Sequence, residues 1–347
     1  SRGVFPDKQT TLPVQSGASI GAGDYVVTVG LGTPKKEFTL IFDTGSDVTW
    51  TQCEPCVKSC YEQKEPRNLN PHIKNVFKNF VFGCGQQNDG LFGRAAGLLG
   101  LGRTELSLPS QAAKKFKKLF SYCLPASSSS KGYLSFGGKV SKTVTFTPLS
   151  KASESTPFYG LDITGLSVGG HKLSIDPSIF STSGTIIDSG TVFSRLPPTV
   201  YSALSSAFKK LMTNYPLTGG NSFFDTCYDF SKYDKIRIPQ VSVSFKGGVE
   251  MEIHVRGILY PVQGLKKVCL AFAGNADDSY TSIYGNVQQK TYQVVYDGAK
   301  GRVGFAPAGC SQNDHKKNSR RRTCTGKNYI AKMSVVKPCD GFNNVHR

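Results

Sequence analysis

The 347-residue chain lacks the features of several protein classes. No apolar run approaches the ~20 residues of a membrane-spanning helix, so no membrane span is expected. Histidines number only five and are scattered. The bunched Cys53, Cys56 and Cys60 find no second compact Cys/His cluster to complete a zinc site. Neither metal nor cofactor is expected. No Asn-x-Ser/Thr acceptor occurs, so glycosylation says nothing about compartment. Acidic residues are scarce, 24 against 42 Lys and Arg, giving a net charge of +18. No helix-turn-helix, zinc-finger or RNA-recognition pattern uses that charge, which excludes sequence-specific nucleic-acid reading but not general attraction to a polyanion.

What is present is an ordinary globular composition: 38% hydrophobic residues, 37 Gly and 18 Pro. A chain of this length buries roughly 75% of its unfolded surface and needs no staples merely to fold. Ten cysteines are therefore informative about redox compartment, and they favour disulfides in an oxidising lumen or exterior. The residues from Ser1 onward carry no signal-like segment. The excess of positive charge is uneven. Residues 313–347 hold nine basic residues against Asp314 and Asp340 and read as a disordered tail, and a short cluster at Lys114, Lys115, Lys117 and Lys118 flanks Phe116.

Short runs rich in β-branched and aromatic residues, punctuated by Gly, Pro, Ser and Asn, predict a mostly β protein. They include 24–30, 37–42, 80–82, 133–136, 144–146, 161–168, 185–187, 241–245, 268–272, 292–296 and 303–305. Helix signals are few. One covers 107–119. A clearer one covers 198–212, where Val200, Leu204, Ala207, Phe208 and Leu211 form a stripe behind a Pro-Pro-Thr start.

The informative feature is an internal echo. Ile41-Phe42-Asp43-Thr44-Gly45-Ser46 is followed by Gly97-Leu98-Leu99-Gly100, and Ile186-Ile187-Asp188-Ser189-Gly190-Thr191 by Ser282-Ile283-Tyr284-Gly285. Four elements in the same order in two halves indicate duplication. Each Asp ends an apolar strand and precedes a glycine that leaves backbone amides free to approach its carboxylate. Ser46 and Thr191, three residues beyond each acid, are placed to donate to it. If the halves pack about a pseudo-two-fold axis, Asp43 and Asp188 meet. Two carboxylates that close share a proton and titrate as a pair, and water held between them can attack a peptide carbonyl without a covalent intermediate.

These paired motifs resemble the pepsin-type aspartic endopeptidases. The segments 48–56, 82–85, 120–124 and 301–306 are similar to the plant nepenthesin-like branch, and Gly30-Leu31-Gly32-Thr33-Pro34-Lys35-Lys36 with the Cys-rich run after Trp50 is most like its chloroplast nucleoid DNA-binding type. The resemblance covers about residues 17–312. It implies a bilobal β fold with a central cleft, catalytic Asp43 and Asp188, support from Thr44, Ser46, Ser189 and Thr191, and substrate-backbone contacts near Gly45 and Gly190. It also implies a chloroplast or secreted monomer acting on proteins or peptides.

The sequence departs from that pattern in two places. From Asp43 to Gly100 is 57 residues, whereas Asp188 to Gly285 is 97. The family's flap, a β-hairpin marked by a Tyr-Gly pair, has no counterpart in the shorter interval, where Tyr61 is the only tyrosine. The expected organisation is a leader (1–17), a truncated N-terminal lobe (18–150), a C-terminal lobe (151–312) and the basic tail (313–347). Loss of a lid leaves the site open and wetter, unpairs strand edges, and threatens one cysteine of the 53/56/60 cluster with loss of its partner. An aspartic endopeptidase active at acidic pH is expected. The alternatives are a non-catalytic peptide- or protein-binding relative and a sequence-nonspecific DNA binder using the basic surface.

Overall fold

The computed structural model describes residues 9–32, 35–66, 80–127, 130–151, 156–307, 309–310 and 328–331. They form two compact units that interleave along the chain. The first takes its described residues from 1–159, 187–192 and 291–312, the second from 160–186, 193–290 and 313–347.

The first unit is built on an eleven-stranded sheet. Its order is Gly83–Gly85, Trp50–Gln52, Gly97–Gly100, Lys36–Asp43, Tyr25–Leu31, Gln9–Ser16, Gly132–Gly137, Leu119–Cys123, Gln293–Asp297, Arg302–Ala306 and Thr145–Pro148. The strand Lys36–Asp43 reads Phe38, Thr39, Leu40, Ile41, Phe42 with every side chain buried. Burial on both faces explains why its apolar residues run on without alternating. Its parallel partner is Gly97–Gly100, in a register that sets Asp43 opposite Gly100.

The second unit carries smaller sheets. One pairs His171–Lys172, Ile163–Val168, Val241–Phe245 and Val249–Glu252; another pairs Leu217–Thr218, Cys227–Tyr228, Lys267–Leu270 and Leu259–Gln263. A third joins Ser282–Tyr284, Ser194–Leu196 and Phe272–Gly274 to Thr185–Ile187, whose last residue already belongs to the first unit. Strand Ile236–Pro239 pairs with Asn328–Ala331. The helix Pro198–Leu211 starts on proline, whose missing N–H costs nothing at a helix N-terminus. Val200, Leu204 and Phe208 are fully buried, as the stripe predicts. Leu211, by contrast, is exposed and Met212, beyond the helix end, takes its place inside.

Two local expectations are corrected. Residues 107–119 do not make one helix but two short ones, Leu108–Gln111 and Ala113–Phe116. Lys117 and Lys118 both adopt positive φ, which ends the helical path before strand Leu119–Cys123 begins. Residues 80–82 are not a strand; pairing starts at Gly83. The Val81 backbone is instead satisfied by the Gln111 side chain, which accepts from its N–H at 2.7 Å and donates to its carbonyl at 2.9 Å.

The cysteine cluster keeps its partners. Cys53 bonds Cys84, Cys56 bonds Cys60, Cys123 bonds Cys310 and Cys227 bonds Cys269, so the expected loss of a partner near Cys53 does not occur. Cys324 and Cys339, and most of the basic tail, lie outside the described residues.

Candidate active site

Both acids of the echo lie in the first unit, because 187–192 belongs to it. Asp43 closes the strand Lys36–Asp43 and remains partly exposed; Asp188 directly follows Thr185–Ile187 and is 7% exposed. Each carboxylate accepts from the amide two residues on: Gly45 N–H to Asp43 Oδ1 at 2.8 Å and Gly190 N–H to Asp188 Oδ1 at 2.8 Å. The glycines are required for space. A Cβ on Gly45 would stand 2.8 Å from the carboxyl atoms of Asp188, and one on Gly190 would stand 2.2 Å from Asp43 Oδ1. Each glycine therefore faces the other half's acid, and the negative charge of Asp188 acts on Asp43.

Beneath the acids the two turns are laced reciprocally. Thr44 N–H donates to Ser189 Oγ at 3.1 Å, and Ser189 N–H donates to Thr44 Oγ1 at 2.9 Å. The hydroxyls then donate across to the carbonyls preceding the opposite acids, Ser189 Oγ to Phe42 at 3.0 Å and Thr44 Oγ1 to Ile187 at 3.3 Å. Thr44 and Ser189 are fully buried, so every one of these polar groups has to be paired internally. The lattice fixes the two turns to each other and so sets the separation of the acids.

The outer hydroxyls differ. Thr191 Oγ1 donates to Asp188 Oδ2 at 2.6 Å. Ser46 stands close enough to Asp43 to lower its pKa, yet its buried Oγ forms no hydrogen bond of normal geometry, a departure from the expected symmetry. Burial first, and then the negative charge of Asp188, push Asp43 from 3.8 up to about 7.

A further repeat escaped the sequence reading. Six residues beyond each acid sits another hydroxyl, Thr49 and Ser194. Thr49 Oγ1 accepts from Gly100 N–H at 3.2 Å and Ser194 Oγ from Gly285 N–H at 2.9 Å. Each therefore ties down the glycine that ends its half's motif. The signal was an equal spacing of interchangeable residue types. Trp50 and Phe92 pack in a T-shaped arrangement at 5.3 Å, and Tyr61 stacks with Phe92 at 5.4 Å. A Gly-x-Ser-x-Gly sequence, Gly165–Gly169, lies in and just beyond strand Ile163–Val168 and not on a strand-to-helix turn, so it makes no nucleophile elbow.

Comparison with known proteins adds the family. Residues 25–72 and 68–138 match the model described as Xylanase inhibitor N-terminal, and 158–307 match Xylanase inhibitor C-terminal. An aspartyl protease family protein of Arabidopsis thaliana is 48% identical over 366 residues, covering 89% of this chain and 77% of that protein. The chain belongs to the plant aspartyl protease family. Within it, aspartic proteinase nepenthesin-2 of Nepenthes gracilis is 32% identical, covering 87% of this chain and 81% of the relative, which places the chain in the nepenthesin-like branch. The fold is pepsin-like. Among solved structures, edgp superposes with a TM-score of 0.69 at 22% identity (88% of this chain, 96% of that one), and soybean Basic 7S globulin with 0.68 at 20% (88% and 100%).

Proposed function

We propose that this member of the family is an aspartic endopeptidase that hydrolyses peptide bonds at acidic pH, with Asp43 and Asp188 as its catalytic pair. The observation that carries the reading is the juxtaposition of the two acids, each against the glycine of the other's turn, above a reciprocal hydrogen-bond lattice that ties the two turns together. A pair that keeps one proton supplies both roles at once. The ionised member takes a proton from water as the water oxygen bonds to the peptide carbon, and the protonated member gives its proton to the carbonyl oxygen. The resulting gem-diol collapses as the amide nitrogen is protonated and the C–N bond breaks, which returns the pair to its starting state. Gly45 and Gly190 leave room for substrate backbone beside the acids, and Thr44, Ser189, Ser46 and Thr191 support them.

We further infer that the flap is absent. The alignment to the 48% identical relative runs over 366 positions yet uses only 89% of 347 residues, so more than about fifty positions of that relative face a gap. The family model likewise matches in two segments that meet at 68–72, inside the short interval between Asp43 and Gly100. An open site is wetter, which weakens its electrostatics and slows turnover relative to lidded relatives.

Cleavage of a denatured protein at acid pH, inhibited by pepstatin and abolished by Asp43→Asn and by Asp188→Asn, tests the reading. A folded chain with no inhibitable cleavage at any acid pH overturns it. That outcome would favour the second reading, a peptide- or protein-binding relative that has kept the scaffold, which is supported by the match to models named for xylanase inhibitors and by the fold likeness to a seed globulin. Four disulfides among the described residues support an oxidising compartment.

A further inference from the structure

One end of the large sheet of the first unit gathers lysines from segments far apart in the chain. Strand pairing sets Leu119 opposite Asp297, Phe120 opposite Phe136, and Asp297 opposite Arg302. The entry to strand Leu119–Cys123, the exit from Gly132–Gly137 and the turn 298–301 therefore share that end. They carry Lys114, Lys117, Lys118, Lys139 and Lys300, all exposed. The short helix Ala113–Phe116 is seated there by buried Phe116, whose ring packs on Phe136 at 5.8 Å. Gly298 N–H donates to the Lys118 carbonyl at 3.1 Å. A Cβ on Gly298 would stand 3.2 Å from Lys118 Cβ and 3.9 Å from its Cδ, so the Lys118 stem lies across the turn that carries Lys300. The charge balance is one-sided. Among the described residues of these segments the single acid is Asp297, already held by Arg302 Nε at 2.9 Å. None of the five lysines forms an ion pair with a described residue. Like charges gathered at one end repel, so folding gains nothing from them. The backbone adds a second cost. Three described non-glycine residues have positive φ, and two of them are Lys117 at 56° and Lys118 at 54°. Glycine or asparagine adopts that left-handed conformation with less strain. Two lysines kept where the backbone disfavours them point to a use for their charge.

We propose that this lysine end is a docking surface for a carboxylate-bearing polysaccharide, a polyuronate. The cations are lysines, point charges that match carboxylates spaced singly along a polymer. The forked guanidinium suited to bidentate phosphate is engaged elsewhere: Arg302 holds Asp297 and lies over the Phe146 ring, 3.9 Å from its centre. Among the described residues of these segments no exposed aromatic ring is present to stack on a base. Nor is there an exposed large apolar side chain to seat a protein partner or enter a bilayer. The four disulfides favour a compartment outside the reducing interior where nucleic acid is concentrated. A carboxylate of ordinary pKa stays ionised down to about pH 4, so the attraction persists at the acid pH of the proposed hydrolysis.

The test is binding of the full chain to polygalacturonate at about pH 5.5 and about 50 mM salt, beside the same polymer with its carboxyls methyl-esterified and beside duplex DNA. The wild type is expected to bind polygalacturonate with an affinity that falls as salt rises, to leave the ester unbound, and to bind DNA more weakly. Combining Lys114→Gln, Lys117→Asn, Lys118→Asn and Lys300→Gln should weaken binding about tenfold or more. The same variant should unfold at an unchanged or higher temperature, because asparagine suits left-handed backbone. Four exposed lysines of the second unit supply the control. Combining Lys210→Gln, Lys232→Gln, Lys235→Gln and Lys266→Gln removes the same charge and should weaken binding no more than about twofold. That contrast separates a local surface from the general charge of +18. Where the first variant does not fold, Lys114→Gln with Lys139→Gln and Lys300→Gln takes its place, with an expected loss of about fivefold. Equal losses in the patch and control variants, equal binding of the ester, or tighter binding of DNA overturns the proposal. None of these outcomes depends on whether the chain cleaves peptides.

Discussion

Replacing Asp43 by Asn is expected to remove a fall in stability that the wild type undergoes between about pH 4 and pH 7. In the unfolded chain this carboxyl loses its proton near its ordinary 3.8, whereas burial and the neighbouring Asp188 keep the folded form protonated up to about 7. Between those limits the folded state binds more protons than the unfolded state, so stability is full below pH 3.8 and declines as pH rises through about 7. At about 1.4 kcal/mol per pH unit the span cannot exceed about 4 kcal/mol. Because Asp43 is partly exposed and shares its proton with Asp188, about 2–3 kcal/mol is the realistic size. For a chain of this length that corresponds to about 3–4 °C in Tm. Calorimetry or urea unfolding of wild type and Asp43→Asn at pH 4, 5.5 and 7.5 makes the comparison, in which titrations away from the pair cancel. The variant should gain on the wild type steadily as pH rises and be the more stable protein at pH 7.5. Parallel curves would refute the reasoning, because they would mean that the carboxyl at position 43 titrates in the folded chain as it does in the unfolded one.

Other outcomes follow from the same geometry. Gly190→Ala would place a methyl group 2.2 Å from Asp43 Oδ1, so turnover should fall at least 100-fold while far-UV circular dichroism stays unchanged. Thr191→Val removes a 2.6 Å hydrogen bond to Asp188 and should cost about tenfold or more in kcat, whereas Ser46→Ala, lacking such a bond, should cost less than threefold. His254 is pushed down to about 4 by burial and by Arg256 and Lys290, so it opposes Asp43: the unfolded chain takes up its proton first as pH falls below 6.5. Substituting His254→Asn should therefore raise stability at pH 4 relative to pH 7, as read by the same unfolding curves. Phe208→Ala, in the fully buried stripe of the long helix, should lower stability by about 3–5 kcal/mol in urea unfolding. If the basic surface binds DNA, affinity should fall steeply with salt, and less steeply once residues 313–347 are removed.

Much of the scaffold was legible because its signals are local. The β-branched runs gave most strands, Pro-Pro-Thr gave the start of the long helix, and the spacing of Val200, Leu204 and Phe208 gave its buried face. The failures came where a non-local partner overrode local preference. The end of a helical pattern was lost to left-handed backbone at Lys117 and Lys118. The β-rich Phe80-Val81-Phe82 stayed out of the sheet because a glutamine 30 residues away satisfies its backbone. Leu211 fits the helical stripe by number, yet the core is filled by Met212, because the chain leaves the helix there.

The sequence by itself determined which chemistry is available. Two copies of an acid, a hydroxyl and a glycine, each at the end of an apolar strand, are a statement about composition and order that needs no coordinates. Only the tertiary structure decided that the copies interlock and that Ser46 and Thr191 are not equivalent. It alone also decided that Thr49 and Ser194, each six residues beyond an acid, tie down the glycines that end the two motifs. The physical reason is that a motif specifies donors, acceptors and charge, while proton affinity depends on burial and on whatever group stands opposite. Neither of those is fixed until distant strands have packed.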